Sequence, residues 1–365
     1  MPKIRVLIVD DSVVVRQLMN KVLSRDPALE VVGVAANGRI ALAKIAQINP
    51  DLIILDLEMP EMGGLETLEA IRQQYSRLPV IIFSAVTELG AAATLEALAR
   101  GATDYATKPA STSKEEAIQY IQAQLIPKIK VFCPDVLSQP TPESKMSQRR
   151  ASHRPRGGIA PLITPLRERG DRPPAEIIAI GVSTGGPNAL AALLPQFPVD
   201  LPVPIVIVQH MPPIFTQRLA ESLSAQCQIP VVEGATGDQL RPGQAWIAPG
   251  DFHMVVERDG TNVYIRTHQA PPENSCRPAV DVLFRSVVKT YGAGTLGIIL
   301  TGMGQDGLHG CQCIHEAEGQ ILAQDESSSV VWGMPGMVAN AGLADQILPL
   351  NQLAAAIMQR INRGP

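Results

Sequence analysis

The sequence predicts an α/β protein built from two doubly wound parallel sheets, and three observations carry that expectation. Short apolar runs alternate with amphipathic segments in a regular βα rhythm through residues 1 to 131. The same rhythm resumes at residue 175 and continues to the end of the chain. Between them, over residues 132 to 174, periodicity vanishes and proline, serine and arginine dominate, a composition that cannot bury a core. The length of 365 residues agrees, since it exceeds one typical core.

Taken in order, the first part reads as strands at Arg5 to Val9, Glu30 to Val34, Leu52 to Leu55, Pro79 to Phe83 and a short one near Asp104 to Ala106. Amphipathic segments such as Val13 to Leu23 and Ile40 to Ile48 lie between them. Five such units predict an open parallel sheet with helices on both faces. Acidic residues then fall at strand ends: Asp10 and Asp11 after the first, Asp56 after the third. Function in such sheets gathers at the carboxyl ends of the strands, so these carboxylates are expected to converge. A group of carboxylates suits a hard divalent cation, and magnesium with retained waters fits best. Ser84 and Lys108 add a hydroxyl and a point cation to the same edge. A lone strand-end aspartate is usually a helix cap, but five polar residues at five matching places describe an apparatus for holding a phosphoryl group on Asp56.

VLIVDDS, LDLEMPEMGG, FSA and TKP resemble the response-regulator receiver domain, which has a flavodoxin-like fold, over the whole of residues 1–131. The resemblance implies that Asp56 is the phosphoacceptor and that Asp10 and Asp11 form the acidic Mg2+ pocket, with the backbone carbonyl of Glu58 as a further ligand. It makes Ser84 the switch hydroxyl, Lys108 the phosphate-contacting lysine and Tyr105 the aromatic switch. Gly63 stands where the family commonly carries a polar residue before Gly64, a departure expected to affect only the turn. Residues 132–174 read as a flexible, locally basic linker. Clustering of Arg149, Arg150, Arg154 and Arg156 leaves a docking segment as the alternative.

In the second part, EIIAIGVSTGGP (Glu176 to Pro187) reads as a buried strand over Ile177 to Val182, a glycine-rich turn over Ser183 to Gly186 and, at Pro187, the first residue of a helix. That places Ser183 beside free backbone N–H groups and the positive end of a helix dipole, where a nucleophile and its developing anion are stabilised. Helix is expected over Asn188 to Leu194, strand over Pro204 to His210, and helix over Phe215 to Cys227. HMVVERDGTNVYIRT reads as a β-hairpin turning at Asp259-Gly260. Ala279 to Tyr291 is helical, Gly294 to Gly302 is a strand, and Asp306 is expected to open the next helix.

Ser183, His210 and Asp306 thus each follow the carboxyl end of an apolar strand, and in a doubly wound sheet those ends share one edge. That is the arrangement of a Ser/His/Asp triad: a hydroxyl within reach of an imidazole whose other nitrogen is held by a buried carboxylate. Gly181 to Gly185 satisfies G-x-S-x-G, yet α/β-hydrolases run Ser, acid, His, whereas this chain runs Ser, His, Asp. Each residue has a plainer reading: Ser183 as a cap or phosphate-binding turn, His210 as a satisfied strand-end histidine, Asp306 as an N-cap. His253 and His309 are rival bases that end no parallel strand. A dinucleotide site lacks its G-x-G-x-x-G and the acid closing the second strand.

AIGVSTGGP, QHMPPIFT, IAPGDFHM, RPAVDVLF and ILTGMGQDG resemble the catalytic domain of the chemotaxis protein-glutamate methylesterases, a Rossmann-like three-layer domain here covering residues 175–365. By position the family's triad falls on Ser183, His210 and Asp306. Its oxyanion donor falls on the backbone N–H of Met303, with Thr184 beside the nucleophile. The resemblance implies hydrolysis of glutamate γ-methyl esters on methylated chemoreceptors, deamidation of receptor glutamines, and no cofactor for the hydrolysis itself. It also implies a cognate histidine kinase as phosphodonor, and a receiver that covers the catalytic edge until Asp56 is phosphorylated.

Composition excludes other classes. A net charge of −4 with 4% aromatic residues gives neither a basic field nor stacking platforms for nucleic acid, and the second part shows no basic recognition helix of a transcriptional regulator. The remaining alternative is a catalytically idle signalling scaffold, against which the complete set of triad positions argues. The N-terminal apolar run is too short for a signal sequence and no run approaches a membrane span, so a cytoplasmic protein without membrane insertion is expected. Five cysteines (Cys133, Cys227, Cys276, Cys311, Cys313) without CxxC pairing read as reduced thiols rather than a zinc site.

Overall fold

The computed structural model describes residues 2–109, 113–134, 136 and 172–361. Most of the segment expected to be a linker, residues 137–171, lies outside the described residues. The chain divides into two compact units, Met1–Arg167 and Glu168–Pro365.

In the first unit five strands alternate with five helices: β1 (Ile4–Val9), α1 (Val13–Leu23), β2 (Leu29–Ala35), α2 (Gly38–Ile48), β3 (Leu52–Leu55), α3 (Gly64–Gln74), β4 (Val80–Ser84), α4 (Glu88–Ala99), β5 (Asp104–Thr107) and α5 (Lys114–Phe132). The strands pair in the order β2-β1-β3-β4-β5, and every pair is parallel. β1 and β3 are neighbours although β2 separates them in sequence, so the winding reverses between them. Ligand sites form at that switch point. Ile4, Val6, Ile8, Leu52, Ile54 and Ile81 from the strands pack with Met19, Val22, Ile121 and Leu125 from α1 and α5. Helix starts are capped by side chains, Ser12 Oγ accepting from Val15 N and Asn37 Oδ1 from Ile40 N. Gly63 is the cap of α3, in extended backbone, and as a glycine makes no side-chain cap bond.

The second unit contains β6 (Ile177–Val182), α6 (Gly186–Leu193), β7 (Ile205–Gln209), α7 (Phe215–Ser224), β8 (Val231–Glu233), β9 (Ala245–Ile247), β10 (His253–Asp259), β11 (Asn262–His268), α8 (Val280–Tyr291), β12 (Thr295–Ile299), α9 (Leu308–Glu316), β13 (Gln320–Gln324), α10 (Met334–Asn340), β14 (Gln346–Leu348) and α11 (Leu350–Ile361). Seven of these strands form one sheet in the order β14-β13-β12-β6-β7-β9-β8, again parallel throughout. Helix α6 contacts both α7 and α11, while α9 contacts both α8 and α10. Right-handed crossovers that reverse direction at β6 put those groups on opposite faces. The core joins Ile177, Val206, Trp246, Phe284 and Ile299.

Two local expectations are corrected. The β10–β11 hairpin pairs Asp259 with Asn262, so its loop is Gly260-Thr261 and not Asp259-Gly260; Gly260, at φ 58, takes the left-handed position. Asp306 does not open α9. The helix starts at Leu308 behind Gly307, whose φ of 94 breaks the helical path, and Asp306 is free to turn inward.

Candidate active site

The apolar strand β6 delivers the chain to Ser183 at the sheet's carboxyl edge. Its register with β7 ends at Val182 opposite Gln209, so Ser183 and His210 are the next residues of two adjacent strands. The Ser183 N–H donates to Thr301 O (3.0 Å), and Gly186 N donates back to Ser183 O (2.8 Å). Thr301 Oγ1 donates to Thr184 O (2.9 Å). Gly185, at φ 78, supplies the left-handed turn that starts α6. The turn is therefore pinned by the continuation of β12 on one side and meets β7 on the other.

Asp306 is the centre of a buried network. Its Oδ2 receives His210 Nε2 (2.8 Å) and Val280 N (2.6 Å). Its Oδ1 receives Asn274 Nδ2 (3.0 Å), Asp281 N (3.1 Å) and Gly307 N (3.1 Å). Burial opposes its charge, yet the imidazole and the main-chain donors outweigh this and hold the carboxyl below its ordinary range. For His210, burial disfavours the cation, but the bonds to Asp306 and Cys276 raise its pKa to about 10. In the neutral ring the Asp306 bond fixes the tautomer: Nε2 carries the proton and Nδ1 is left to accept.

That second nitrogen has a neighbour the sequence reading did not foresee. Cys276 Sγ lies 3.6 Å from His210 Nδ1. Among the described residues no hydrogen bond joins Ser183 Oγ to the ring, so the structure forms the imidazole–carboxylate half of the expected arrangement and sets the serine beside it by register. Asn274, which reaches both Asp306 and Asp281 Oδ2 (2.8 Å), was likewise unread. Both residues belong to the loop before α8, and only tertiary folding brings that loop over the sheet edge. The rival histidines are elsewhere. His253 is buried, bonded through Nε2 to Pro271 O and through Nδ1 to Ala279 N. His309 is exposed and bonds Gln312. Met303 lies between Gly302, whose hypothetical Cβ would be 2.8 Å from Ser183 Cβ, and the turn to Asp306; among the described residues neither its N–H nor that of Thr184 has a hydrogen-bond partner.

The first unit gathers its own set. Lys108 Nζ lies 2.9 Å from Asp10 Oδ2 and 2.8 Å from Asp56 Oδ2. Carboxylate oxygens of Asp10, Asp11 and Asp56 all fall within 4.8 Å of one another. Burial raises the Asp56 pKa against the pull of Lys108, and the Asp10 charge adds to the rise. Leu57 N (2.8 Å) and Glu58 N (3.4 Å) donate to Asp56 Oδ1. Asp10 Oδ2 is buried and faces the Lys108 ammonium, while Ser12 N donates to Oδ1 (2.8 Å). Ser84 Oγ donates to Gly90 O (3.2 Å) at the start of α4 rather than to Asp56. Tyr105 is buried, with Lys128 Nζ 5.3 Å from its ring centre.

Two doubly wound sheets, one ending in acids around a lysine and the other in a serine, a histidine and an aspartate, define a phosphoacceptor-type module joined to a module with the side chains of a serine hydrolase. Residues 178–357 match the family described as CheB methylesterase, and residues 6–121 match the response regulator receiver domain. The chain belongs to the CheB methylesterase family. A protein of Trichodesmium erythraeum described as protein-glutamate methylesterase/protein-glutamine glutaminase is 61% identical over 99% of this chain and 100% of its own length. One of the same description from Nocardioides sp. is 49% identical over 100% of this chain and 97% of its own. The crystal structure of the Thermotoga maritima CheB methylesterase catalytic domain is 38% identical, covers 51% of this chain and 98% of its own, and superposes with a TM-score of 0.50. Among the described residues no helix is long and apolar enough to cross a membrane.

Proposed function

We propose that the chain is a phosphorylation-activated protein-glutamate methylesterase and protein-glutamine deamidase acting on methylated chemoreceptors. The observation that carries this reading is Ser183 and His210 directly after β6 and β7, with His210 Nε2 held 2.8 Å from the buried carboxylate of Asp306 in the loop that follows β12. Ser183 Oγ attacks the γ-ester carbonyl as its proton passes to His210 Nδ1. The N–H groups of Met303 and Thr184 stabilise the oxyanion. The imidazolium returns the proton to the departing methoxide, which leaves as methanol, and the glutamyl group remains on Ser183. Water, deprotonated by the same nitrogen, then releases the glutamate carboxylate and restores the serine hydroxyl. With a glutamine side chain the leaving group is ammonia.

In the receiver, residues 1–131, Asp56 accepts the phosphoryl group. The hard oxygens of Asp10, Asp11 and Asp56, together with the main-chain carbonyl of Glu58, suit Mg2+. When bound, the ion supplies positive charge against the phosphoryl oxygens. Lys108 contacts the phosphoryl group, and Ser84 and Tyr105 report its arrival. A histidine kinase is the phosphodonor, and the setting is the cytoplasm. Residues 132–174 serve as linker, and the catalytic domain, residues 175–365, is restrained until Asp56 is phosphorylated. The test is methanol release from methylated receptor membranes with and without acetyl phosphate and Mg2+. Release that the phosphodonor increases is expected; absence of methanol under both conditions overturns the reading.

A further inference from the structure

β7 is apolar and fully buried from Ile205 to Val208, and then carries Gln209, 1% exposed. Its side chain makes two bonds. Gln209 Nε2 donates to Ser183 O (3.0 Å) and to His210 O (3.2 Å). One carboxamide thus grips the main chain of the serine at the end of β6 and of the histidine at the end of β7. Two carbonyl acceptors fix the amide's orientation, Nε2 toward them and Oε1 away. Oε1 is left buried without a hydrogen-bond partner, an arrangement that costs free energy. A position that only filled space would be served by an apolar side chain with no such cost.

Oε1 lies against Gly186. A Cβ built on that glycine would stand 1.9 Å from Gln209 Oε1 and 2.9 Å from Gln209 Cδ, so any larger residue pushes the carboxamide off its carbonyls. The second glycine of the turn and the glutamine of the neighbouring strand are therefore one device. Thr301 holds the opposite side of the turn, through Ser183 N and Thr184 O.

We propose that Gln209, seated by Gly186, is the positioning residue that fixes the distance between Ser183 and His210. The inference rests on the proposed roles of those two residues. In this structure the hydroxyl and the ring are not yet bonded, so a shift of either main chain falls directly on the proton transfer. A displacement of about 1 Å costs a positioned reaction about 100-fold. Substrate contacts are untouched, so the loss belongs in kcat and not in KM.

The test uses the full chain with acetyl phosphate, Mg2+ and methylated receptor membranes. Gln209→Met keeps the volume and removes both donors: kcat falls about 100-fold, with KM and the far-ultraviolet spectrum unchanged. Gln209→Glu sets a carboxylate against two carbonyls and loses as much at neutral pH. Its activity relative to the parent recovers as pH falls, because the protonated acid regains one O–H donor. Gly186→Ala lowers kcat strongly in the parent and much less in a Gln209→Ala background. Parental kcat in Gln209→Met, a Gln209→Glu ratio independent of pH, or additive effects of Gly186→Ala and Gln209→Ala would each overturn the proposal. Ser183→Ala, assayed alongside, separates the two levels. Turnover by it rejects the nucleophile itself, whereas an inactive Ser183→Ala beside a fully active Gln209→Met rejects only the role of Gln209.

Discussion

Replacing Asp306 by asparagine removes a charge and, more sharply, reverses one hydrogen-bonding atom in a site where five donors converge. Asp306 is 2% exposed, with His210 Nε2 and Val280 N on Oδ2 and with Asn274 Nδ2, Asp281 N and Gly307 N on Oδ1. An asparagine has one acceptor oxygen, and its NH2 must face one of these two groups. Turned toward the Oδ1 side it opposes three donors; turned toward Oδ2 it opposes two, so the second orientation is preferred and the imidazole loses its partner. Two buried donors left unpaired cost about 1–3 kcal/mol each, or about 2–6 kcal/mol together. The ring loses both its tautomer lock and the charge that stabilises the imidazolium, a change worth about 10⁴-fold in the rate of a serine-protease triad. The assay is methanol release from methylated receptors, with thermal unfolding followed by circular dichroism on the same samples. A variant within tenfold of the parent in kcat/KM, or with an unchanged melting temperature, would overturn this role of Asp306.

Burial lowers and the bonds to Asp306 and Cys276 raise the His210 pKa, with a net rise from 6.5 to about 10. Only the neutral ring accepts the serine proton, so kcat/KM is expected to climb with pH across that interval. Cys276→Ala removes one of the raising groups and moves the limb to lower pH; superimposable pH–rate profiles would contradict this. The same raised pKa gives stability that is fully present below 6.5 and lost as pH rises through about 10. Melting temperature is therefore expected to fall at high pH less steeply in His210→Gln than in the parent. In Asp56→Asn, acetyl phosphate should no longer increase methanol release; undiminished stimulation would remove Asp56 as the acceptor. Lys108→Ala takes a cation from 2.9 Å of Asp10 and 2.8 Å of Asp56. Mg2+ should then bind several-fold tighter by calorimetry, while phosphodonor stimulation is lost.

Strand ends were legible in the sequence because buried parallel strands are continuous apolar runs bounded by polar residues. Ile177–Val182 and Leu52–Leu55 were read with their observed limits, and the residues after them named both edges. Short strands were not legible. Val231–Glu233, Ala245–Ile247 and Gln346–Leu348 are three residues each, too brief for a period to separate them from a loop. The position of Asp306 was read but not its posture, because the left-handed Gly307 that starts the helix later leaves no trace beyond a glycine. Cys276 and Asn274 were missed since their roles depend on a loop folding back across 66 residues of chain to His210 and 32 to Asp306. Gln209 was overlooked for the opposite reason. A polar residue closing an apolar strand looks like the start of a loop, and only burial and its two bonds show a clamp.

As proposed, Ser183 carries ester hydrolysis under the control of Asp56. The most direct test follows radiolabelled methyl groups on chemoreceptor membranes into volatile methanol, using the full chain and Ser183→Ala with and without acetyl phosphate. Release by the full chain that rises with the phosphodonor is expected, and none by a folded Ser183→Ala protein in either condition. Methanol released by Ser183→Ala at the parental rate would contradict it.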